Sequence, residues 1–273
     1  MKKVATIILN RNLPTITDKL FNLIKKFNNK YTDIFIVDSG SLKKNKSKKT
    51  TWSANWKMAR KNGLRFGRGM NFGLYSLFKE KKFDKYDYYF LITNDTVVQR
   101  KPFINKLVKI MDKEKKIAIL SPCSKKWGEK HLLRFRKLKF FWYIHNNAYF
   151  IRKNFIHKIK NTKNGYMNFL FDGNNFRGFG ADSELILKAY KNNMGAAITS
   201  EVWLSENESY LLNKNMLIKT EPFDKNLKLY VKEGLYWMKK KYKFKTRWDM
   251  HLHVKKYYDS FFKKNKRLLK YSL

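Results

Sequence analysis

Short apolar runs alternate with amphipathic segments along the first half of the chain. The runs are rich in β-branched residues and end in turn residues, as buried strands do. In chain order they are KVATIILN, DIFIVDSGS, YYFLITND and KIAILSP. Between them lie segments with apolar residues at helical spacing: TDKLFNLIKKFNN, GMNFGLYSLFKE and FINKLVKIMDKE. This alternation predicts an α/β fold with a mostly parallel sheet and helices on both faces.

The helix and strand signals continue into the later half of the chain. The segment FFWYIHNNAYFIRKNFI is aromatic and strand-like. The segment GADSELILKAYKNN predicts a helix with Leu185, Leu187 and Tyr190 among its apolar positions and Gly195 as its stop. For the first amphipathic segment of the chain, Thr17 is the candidate N-cap.

The C-terminal residues differ from the rest in composition. Residues 214–273 contain 18 Lys and Arg against 5 Asp and Glu, and aromatic residues are interleaved with the lysines. We found no internal repeat and no linker rich in Pro, Gly or Ser. The sequence predicts one domain over residues 1–212 and a basic, helical extension over residues 213–273. Two readings of the extension stay open: interfacial helices on an anionic membrane surface, or a helical subdomain packed on the sheet.

The composition excludes several classes of protein. Apolar residues make up 43% of the 273 residues, which is enough for a large core. Cys123 is the single cysteine, so an internal disulfide and a Cys-rich metal site are excluded, and a reducing cytosol is the natural setting. No apolar stretch approaches the ~18 residues of a membrane span. The opening MKKVATIILN has too short an apolar run for a signal peptide.

The formal net charge of +40 suggests a nucleic-acid-binding protein as one function. However, only 11 of the 61 basic residues are Arg, and the lysines are spread from end to end. Nucleic-acid readers favour Arg for bidentate contacts, and the chain lacks an RNP or helix-turn-helix motif. We therefore expect no nucleic acid as a partner. A cationic surface instead favours anionic lipid headgroups and phosphorylated substrates.

Polar residues follow three of the predicted strands at their carboxyl ends. They are Asn-Arg-Asn at 10–12, Asp-Ser-Gly-Ser at 38–41 and Thr-Asn-Asp at 93–95. One capped strand end is ordinary, since Asn and Asp are common turn residues. In open parallel sheets, however, ligands bind outside the carboxyl ends of the strands. Three such ends in one sheet therefore predict a polar pocket.

Five segments, in order, resemble motifs of glycosyltransferase family 2, whose members have the GT-A fold and use nucleotide sugars. VATIILNRNLP resembles the opening strand, VSIIIPTYNRP, and IFIVDSGS resembles IIVVDDGS. LRFGRGMNFGLYSL resembles the GFAGGNNIGL segment of rhamnosyltransferase-like members. FLITNDTVV resembles LLLNNDTVV, a variant of the DXD metal motif. RGFGADSELILKAYKNNMG resembles FFYEDVDLCLRAYKAGY, which carries the general base. The resemblance covers roughly residues 4–210 and implies a GT-A-type, Rossmann-like sheet.

The resemblance implies a nucleotide-binding set drawn from the first four segments. Asn10, Arg11 and Asn12 would line the base slot, where the family's stacking Tyr is missing, so the donor stays open among UDP, GDP and dTDP sugars. The remaining members of the set are Asp38, Ser39, Arg68, Asn71 and Asn94. The glycines at 67, 69 and 73 permit close backbone approach in a turn that leads into a helix.

Asp95 is the metal ligand that the resemblance implies, with Mn²⁺ or Mg²⁺ as the cofactor. Such a cation often takes only one or two protein carboxylates, because phosphate and water supply the rest. Thr93 stands where many relatives have the first DXD ligand. Some relatives complete the site with a His after the segment that matches AITSEVWLSE, and Glu206 is the nearest substitute here.

Asp182 matches the family's general base, with Ala181 in place of the preceding Glu and Glu184 as the second candidate. A base here would take the proton of the acceptor hydroxyl as it attacks the donor sugar. His145 and Trp203 are candidates for contact with the acceptor or the donor sugar, although a core position fits Trp203 equally well.

Together, these features predict an inverting glycosyltransferase that moves a hexosyl or deoxyhexosyl group to a hydroxyl of a glycan or lipid-linked acceptor. Cell-surface polysaccharide synthesis is the expected role, in the cytoplasm or peripherally at the inner face of the membrane. Two alternatives stay open. One is a basic nucleic-acid-binding protein, and the other is a catalytically weak member that only binds nucleotide sugar, because two motifs are altered at Thr93 and Ala181.

Overall fold

The computed structural model of the chain describes residues 3–126, 128–143, 148–207 and 222–273. The strands in these ranges are β1 (Val4–Asn10), β2 (Thr32–Asp38), β3 (Trp52–Ser53), β4 (Tyr88–Thr93), β5 (Thr96–Val98), β6 (Ile117–Ser124), β7 (Leu138–Phe140), β8 (Ala148–Arg152) and β9 (Gly195–Glu206). The helices are α1 (Pro14–Asn28), α2 (Lys57–Asn62), α3 (Arg65–Lys79), α4 (Ile104–Lys113), α5 (Glu129–Leu132), α6 (Lys153–Ile159), α7 (Ala181–Lys191), α8 (Phe223–Tyr242) and α9 (Arg247–Lys264). Short 3-10 helices occur at Lys43–Asn45, Phe83–Lys85 and Lys266–Tyr271.

The strands form one sheet in the order β3-β2-β1-β4-β8-β6-β9-β5, with β7 paired to β9 off this path. Strands β3, β2, β1 and β4 are parallel, and β8 runs antiparallel between β4 and β6. From β1 the chain passes to β2 on one side and later to β4 on the other. This reversal is a topological switch point, where ligands bind in open α/β sheets. The predicted α/β fold is confirmed.

The register of the central strands brings their polar ends to one edge. All seven residues of β1 are buried. Asn10 at its end is paired with Asp38 of β2, and Leu9 is paired with Thr93 of β4. The three polar strand ends that the sequence predicted therefore meet at the carboxyl edge of the sheet.

Helix α3 lies unusually close to the sheet because of its glycines. We expected them in a turn before the helix, but all three lie within α3 and are buried. A Cβ on Gly73 would come within 2.8 Å of Val37 Cγ2, and one on Gly69 would collide with Leu9. The glycines do allow close approach, as predicted, but between a helix and the strands rather than in a turn.

Two predicted helix ends differ from the structure. Helix α1 begins at Pro14, whose fixed φ suits the first turn, so Thr17 lies inside the helix and is not its N-cap. Helix α7 ends at Lys191, and Asn193 adopts a left-handed φ of 52°. Gly195 does not stop the helix. It is the first residue of β9, where a Cβ would lie 2.5 Å from the Phe140 ring.

The helices of the C-terminal extension share the core of the sheet domain. Trp237 and Met238 of α8 are buried in the same apolar cluster as the central strands. Helix α9 packs along α7, and its Phe261 ring lies 5.5 Å from the ring of Phe140 on β7. Gly180, just before α7, adopts a φ of 78°, and a Cβ there would collide with Met238. The described helices therefore fit the packed-subdomain reading. The predicted boundary at residue 212 lies outside the described residues.

None of the helices in the described ranges combines the length and the apolar composition that a membrane span needs.

Candidate active site

A buried hydrogen-bond network joins the carboxyl ends of β1, β2 and β4. The side-chain oxygen of Asn10 accepts bonds from Thr17 Oγ1 at 2.8 Å and from Asn94 Nδ2 at 3.1 Å. Its amide donates to Asp38 Oδ1 at 3.4 Å. Asn94 Nδ2 also lies 3.2 Å from Thr17 Oγ1. The structure therefore brings together three residues of the predicted nucleotide set, around a threonine that was predicted only as a helix cap.

The loops after β1 and β2 are held together by the predicted residues themselves. Asn12 Oδ1 accepts a hydrogen bond from the Leu42 amide at 2.8 Å, and Asp38 Oδ2 accepts one from the Ser41 amide at 3.1 Å. Ser39 Oγ accepts from the Leu64 amide at 2.6 Å, directly before α3. These side chains fix the shape of the sheet edge. Each one accepts a hydrogen bond from a backbone amide that would otherwise need water as its partner.

Arg11 contacts the end of helix α2. Its guanidinium donates to the carbonyl oxygens of Asn62 at 2.9 Å and Lys61 at 3.2 Å. The last carbonyls of a helix lack partners within the helix and carry partial negative charge. Arg11 therefore stabilises α2, which forms part of the wall beside the polar edge.

Asn71 has a structural role that differs from the predicted one. Its amide donates to the carbonyl oxygens of Met167 and Phe171, and its oxygen accepts from the amides of Leu170 and Phe171, at 2.7 to 3.0 Å. Both hydrogens and both lone pairs of the buried side chain are thus engaged. Asn71 clamps the segment 167–171 onto α3 and has no capacity left for a nucleotide.

Arg68 lies in a small cavity near the polar edge. The cavity has a volume of about 210 Å³ and is lined by Trp56, Tyr166 and Phe176 as well as Arg68. The Arg68 guanidinium lies 4.6 Å from the Phe176 ring centre, and its Nε donates to the Gly173 carbonyl at 2.7 Å. Burial lowers the pKa of Arg68, and electrostatic interactions with Tyr166 and Glu233 oppose that shift. The cavity therefore offers aromatic walls and one positioned cation.

Asp95 lies in the turn between β4 and β5, and one of its oxygens has no hydrogen-bond partner. The Oδ1 atom is buried, and no described residue donates to it. Glu206 pairs with Thr96, one ladder position from Asp95, and the next amide, that of Asn207, donates to the Asp95 carbonyl at 2.9 Å. A buried oxygen that accepts no hydrogen bond lowers the stability of the folded chain, because its lost hydration is not replaced. Its chemistry fits a hard cation such as Mn²⁺ or Mg²⁺.

Within the described residues, no group of three or more His, Cys, Asp or Glu side chains is arranged to hold a metal ion. Asp95 and Glu206 lie one ladder position apart at this turn. Two protein ligands suffice for a cation that also binds the phosphates of a substrate.

Asp182, in the first turn of α7, is paired with a cation from the C-terminal extension. Arg247 donates to its Oδ2 at 3.4 Å, and the Asp182 side chain is 16% exposed. Burial raises the pKa of Tyr149 well above its usual value, and the charge of Asp182 raises it further, with a smaller contribution from Glu206. Asp182 and Glu206 therefore lie within electrostatic reach of the same buried hydroxyl group. This relation places the candidate base and Glu206 around the same residue.

Glu184, the second candidate base, is buried in an ion-pair network. Its side chain is 2% exposed. Its Oε1 accepts from Lys241 Nζ and from Tyr242 Oη, both at 2.6 Å, and its Oε2 lies 3.4 Å from Lys188 Nζ. These contacts tie α7 to the end of α8. A carboxylate enclosed by three donors is poorly placed to receive a proton from a substrate, so Asp182 is the better candidate.

Of the two candidate sugar contacts, Trp203 lies within the described residues. His145 lies outside the described residues. Trp203 is half-buried on β9, paired with Cys123, and packs against the core. Its position fits the core role that the sequence left open as the alternative to a sugar contact.

Two residues of this site were not found from the sequence. Thr17 is central to the Asn10 network, and Arg247 contacts Asp182. Thr17 gave only a capping signal. The sequence did contain a signal for Arg247. Only two of the 18 basic residues in 214–273 are Arg, and the other 16 are Lys. Arg is the residue favoured for fixed pairing with carboxylates.

Solved glycosyltransferases share this architecture. The mannosyltransferase PcManGT from Pyrobaculum calidifontis, in complex with GDP-Man and Mn²⁺, matches with a TM-score of 0.50 at 12% identity, over 75% of this chain and 56% of that chain. GalNAc-T7, solved with UDP, GalNAc and Mn²⁺, matches with a TM-score of 0.56 at 11% identity, over 76% and 44%. S. aureus TarS 1-349 in complex with UDP matches with a TM-score of 0.53 at 11% identity, over 86% and 72%.

These matches establish the fold of the chain as the GT-A fold of glycosyltransferases. The chain spans about half the length of the first two of these proteins. No protein-family model and no curated protein sequence matches it. The predicted GT-A architecture is confirmed.

Proposed function

We propose that this GT-A-fold chain is an inverting glycosyltransferase that moves a hexosyl or deoxyhexosyl group from a nucleotide sugar to an acceptor hydroxyl. The observation that carries the proposal is the buried Oδ1 of Asp95 at the switch point of the sheet, which accepts no hydrogen bond from any described residue and lies one ladder position from Glu206. A metal-supported diphosphate at this point would lie within electrostatic range of Asp182. The donor, the cation and the base would then have one common location.

Asp95 and Glu206 would hold Mn²⁺ or Mg²⁺, which would neutralise the charge that develops on the leaving diphosphate. The DXD-like motif would thus contribute one carboxylate, that of Asp95, and Glu206 at the end of β9 would contribute the second. The Asn10 network would form the floor below the nucleotide, and the aromatic cavity that contains Arg68 adjoins it. Three donor classes, UDP, GDP and dTDP sugars, remain the candidates, and the mannosyltransferase neighbour contains GDP-Man.

Asp182 would accept the proton of the attacking hydroxyl. A carboxylate on the acceptor side of the sugar and a leaving group on the opposite side are the requirements of direct displacement, which inverts the anomeric centre. A positioned base contributes roughly 10²–10⁴-fold to such a step. Arg247 fixes the orientation of this carboxylate through its contact at 3.4 Å.

The acceptor would be a glycan or a lipid-linked saccharide of the cell surface, and the reaction would take place in the cytoplasm or at the inner face of the membrane. The net charge of +40 favours peripheral attachment to anionic lipid. Flotation with vesicles containing anionic phospholipid tests this part: binding should fade as salt is raised. Equal flotation with neutral vesicles, or none with anionic vesicles, would remove the membrane surface from the proposal.

The central test is a donor screen with the purified chain. We expect one UDP, GDP or dTDP sugar to bind by calorimetry in the presence of Mn²⁺ and to be slowly hydrolysed. A screen in which no donor binds would reject the proposal. Binding without any hydrolysis or transfer, for every acceptor offered, would favour the alternative of a catalytically weak protein that only binds nucleotide sugar.

A further inference from the structure

A groove between helix α8 and the loop at 172–177 has a volume of about 700 Å³ and no assigned role. It is lined by the aromatic rings of Phe176, Tyr236 and Trp237, the amide of Asn174, and two acidic and two basic side chains. The charged side chains are Asp172, Glu233, Lys240 and Lys241. The volume falls in the range of ordinary small-ligand sites, which combine apolar walls with a few polar groups.

Both carboxylates that line the groove are paired with cations of the protein. Asp172 is paired with Lys241 at 2.5 Å, and Glu233 is paired with Arg177. A ligand in the groove would therefore meet carboxylates as well as cations. A ligand with many neutral hydroxyl groups fits such a lining, since it can donate to the carboxylates and accept from the lysines and the Asn174 amide.

Two features of the lining are unused by the protein itself. The Tyr236 side chain is 68% exposed, and no described ring or cation stacks on it. The Oε2 atom of Glu233 is buried and accepts no hydrogen bond from any described residue. An exposed aromatic ring beside a carboxylate oxygen that lacks a donor suits the apolar face and the hydroxyl edge of a sugar ring.

The groove adjoins the candidate base through helix α8. Tyr230, Glu233 and Trp237 follow one another at helical spacing and therefore share one face of the helix. The Tyr230 ring lies 5.0 Å from the ring of Phe179, edge-on, just before α7. Burial raises the pKa of Tyr230, and the charge of Asp182 raises it further, so this end of the face is near the base. Glu233 lies only about 4.5 Å further along the axis, at ~1.5 Å per residue.

We propose that this groove binds the acceptor as a neutral saccharide, with Tyr236 as the stacking platform and Asn174 as a hydrogen-bonding partner of its hydroxyl groups. The choice of a saccharide acceptor rests on the proposed function, because only a sugar transferase needs a saccharide next to Asp182. The C-terminal extension would then supply both a wall of the acceptor site, from α8, and the cation that orients the base, from α9.

The test is saturation-transfer NMR on the full chain with methyl glycosides and disaccharides of common hexoses, deoxyhexoses and N-acetylhexosamines at millimolar concentration. We expect at least one saccharide to bind, with a signal that falls threefold or more in Tyr236→Ala and in Asn174→Ala. Trp248→Ala is the matched control, since Trp248 is another exposed aromatic residue, 64% exposed, in the same extension but outside the groove. Its signal should equal that of the unaltered chain.

Two outcomes would overturn the inference: no saccharide binds, or the signal is the same in all variants. Displacement of the saccharide by UDP, GDP or dTDP would also overturn it, because the sugar would then occupy the donor site. Calorimetric donor binding, measured on the same unaltered chain, separates this inference from the proposed function. Donor binding without groove-dependent saccharide binding rejects the groove alone. Groove-dependent binding without any donor rejects the transferase and leaves a saccharide-binding site.

Discussion

Arg247, the first residue of helix α9, donates a hydrogen bond to Oδ2 of Asp182 at 3.4 Å. Its guanidinium also lies 5.2 Å from the ring centre of Phe179, directly before the glycine that opens α7. Helix α9 therefore reaches back to the turn that carries the candidate base. Helix α9 thus contacts both the candidate base and the core, so we expect its removal to disturb both.

The two carboxylates of the first turn of α7 should respond differently to neutralisation. We expect Asp182→Asn to leave donor binding nearly intact and to lower turnover about a hundredfold or more, the usual contribution of a positioned base. The Asn side chain keeps the shape and loses the proton acceptor. Calorimetry for the donor and a steady-state assay measure the two effects. Full turnover in Asp182→Asn would reject Asp182 as the base.

Glu184→Gln should lower stability, because its carboxylate holds Lys241 and Tyr242. Losing the charge of a buried, hydrogen-bonded partner costs about 1.5–3 kcal/mol of the free energy of unfolding. Urea unfolding followed by circular dichroism measures the change. Glu80→Gln is the control, since Glu80 forms an exposed pair with Lys82, and such pairs contribute little. An unfolding midpoint in Glu184→Gln equal to that of Glu80→Gln would contradict the structural role.

The contrast between these two residues shows where sequence reasoning reaches its limit. Both carboxylates stand in the same helical turn, and each could serve as a base by type. What separates them is their partners, Lys241 and Arg247, which follow about sixty residues later in the chain. A pattern of local spacing contains no information about such long-range pairs.

The strand ends could be predicted because they depend on local pattern. An apolar run that ends in polar residues marks the edge of a sheet, and the parallel register then aligns Asn10 with Asp38. Helix ends were less predictable. Pro14 began α1 three residues before Thr17, and a left-handed Asn193, not Gly195, marks the end of α7. For Gly195 the physical cause is the Phe140 ring, which lies far away in the sequence.

Asp95→Asn should weaken cation binding in the presence of UDP, because Asn offers one neutral oxygen in place of a carboxylate. We expect the affinity for Mn²⁺ to fall tenfold or more, which corresponds to about 1.4 kcal/mol, and to fall also in Glu206→Gln. Electron paramagnetic resonance counts free Mn²⁺ directly and does not depend on turnover. Asp224→Asn, an exposed carboxylate at the start of α8, is the control. Equal Mn²⁺ affinity in all three variants would remove Asp95 from the metal site.

Asp172→Asn should destabilise the chain in a way that depends on pH. Burial alone would raise the pKa of Asp172, but hydrogen bonds from Lys241 and Trp237 outweigh it and hold the pKa below its ordinary value of 3.8. A carboxylate with a lowered pKa in the folded state stabilises that state above the unfolded pKa and loses this effect as the pH falls through the folded pKa. The difference in free energy of unfolding between the unaltered chain and Asp172→Asn should therefore be constant above about pH 5 and shrink below about pH 4.

Urea unfolding at a series of pH values measures this difference. Asp259→Asn is the control, because Asp259 forms an exposed pair with Lys255, and its stability should change little at any pH. A difference that grows as the pH falls would show that the ion pair with Lys241 does not stabilise the folded chain.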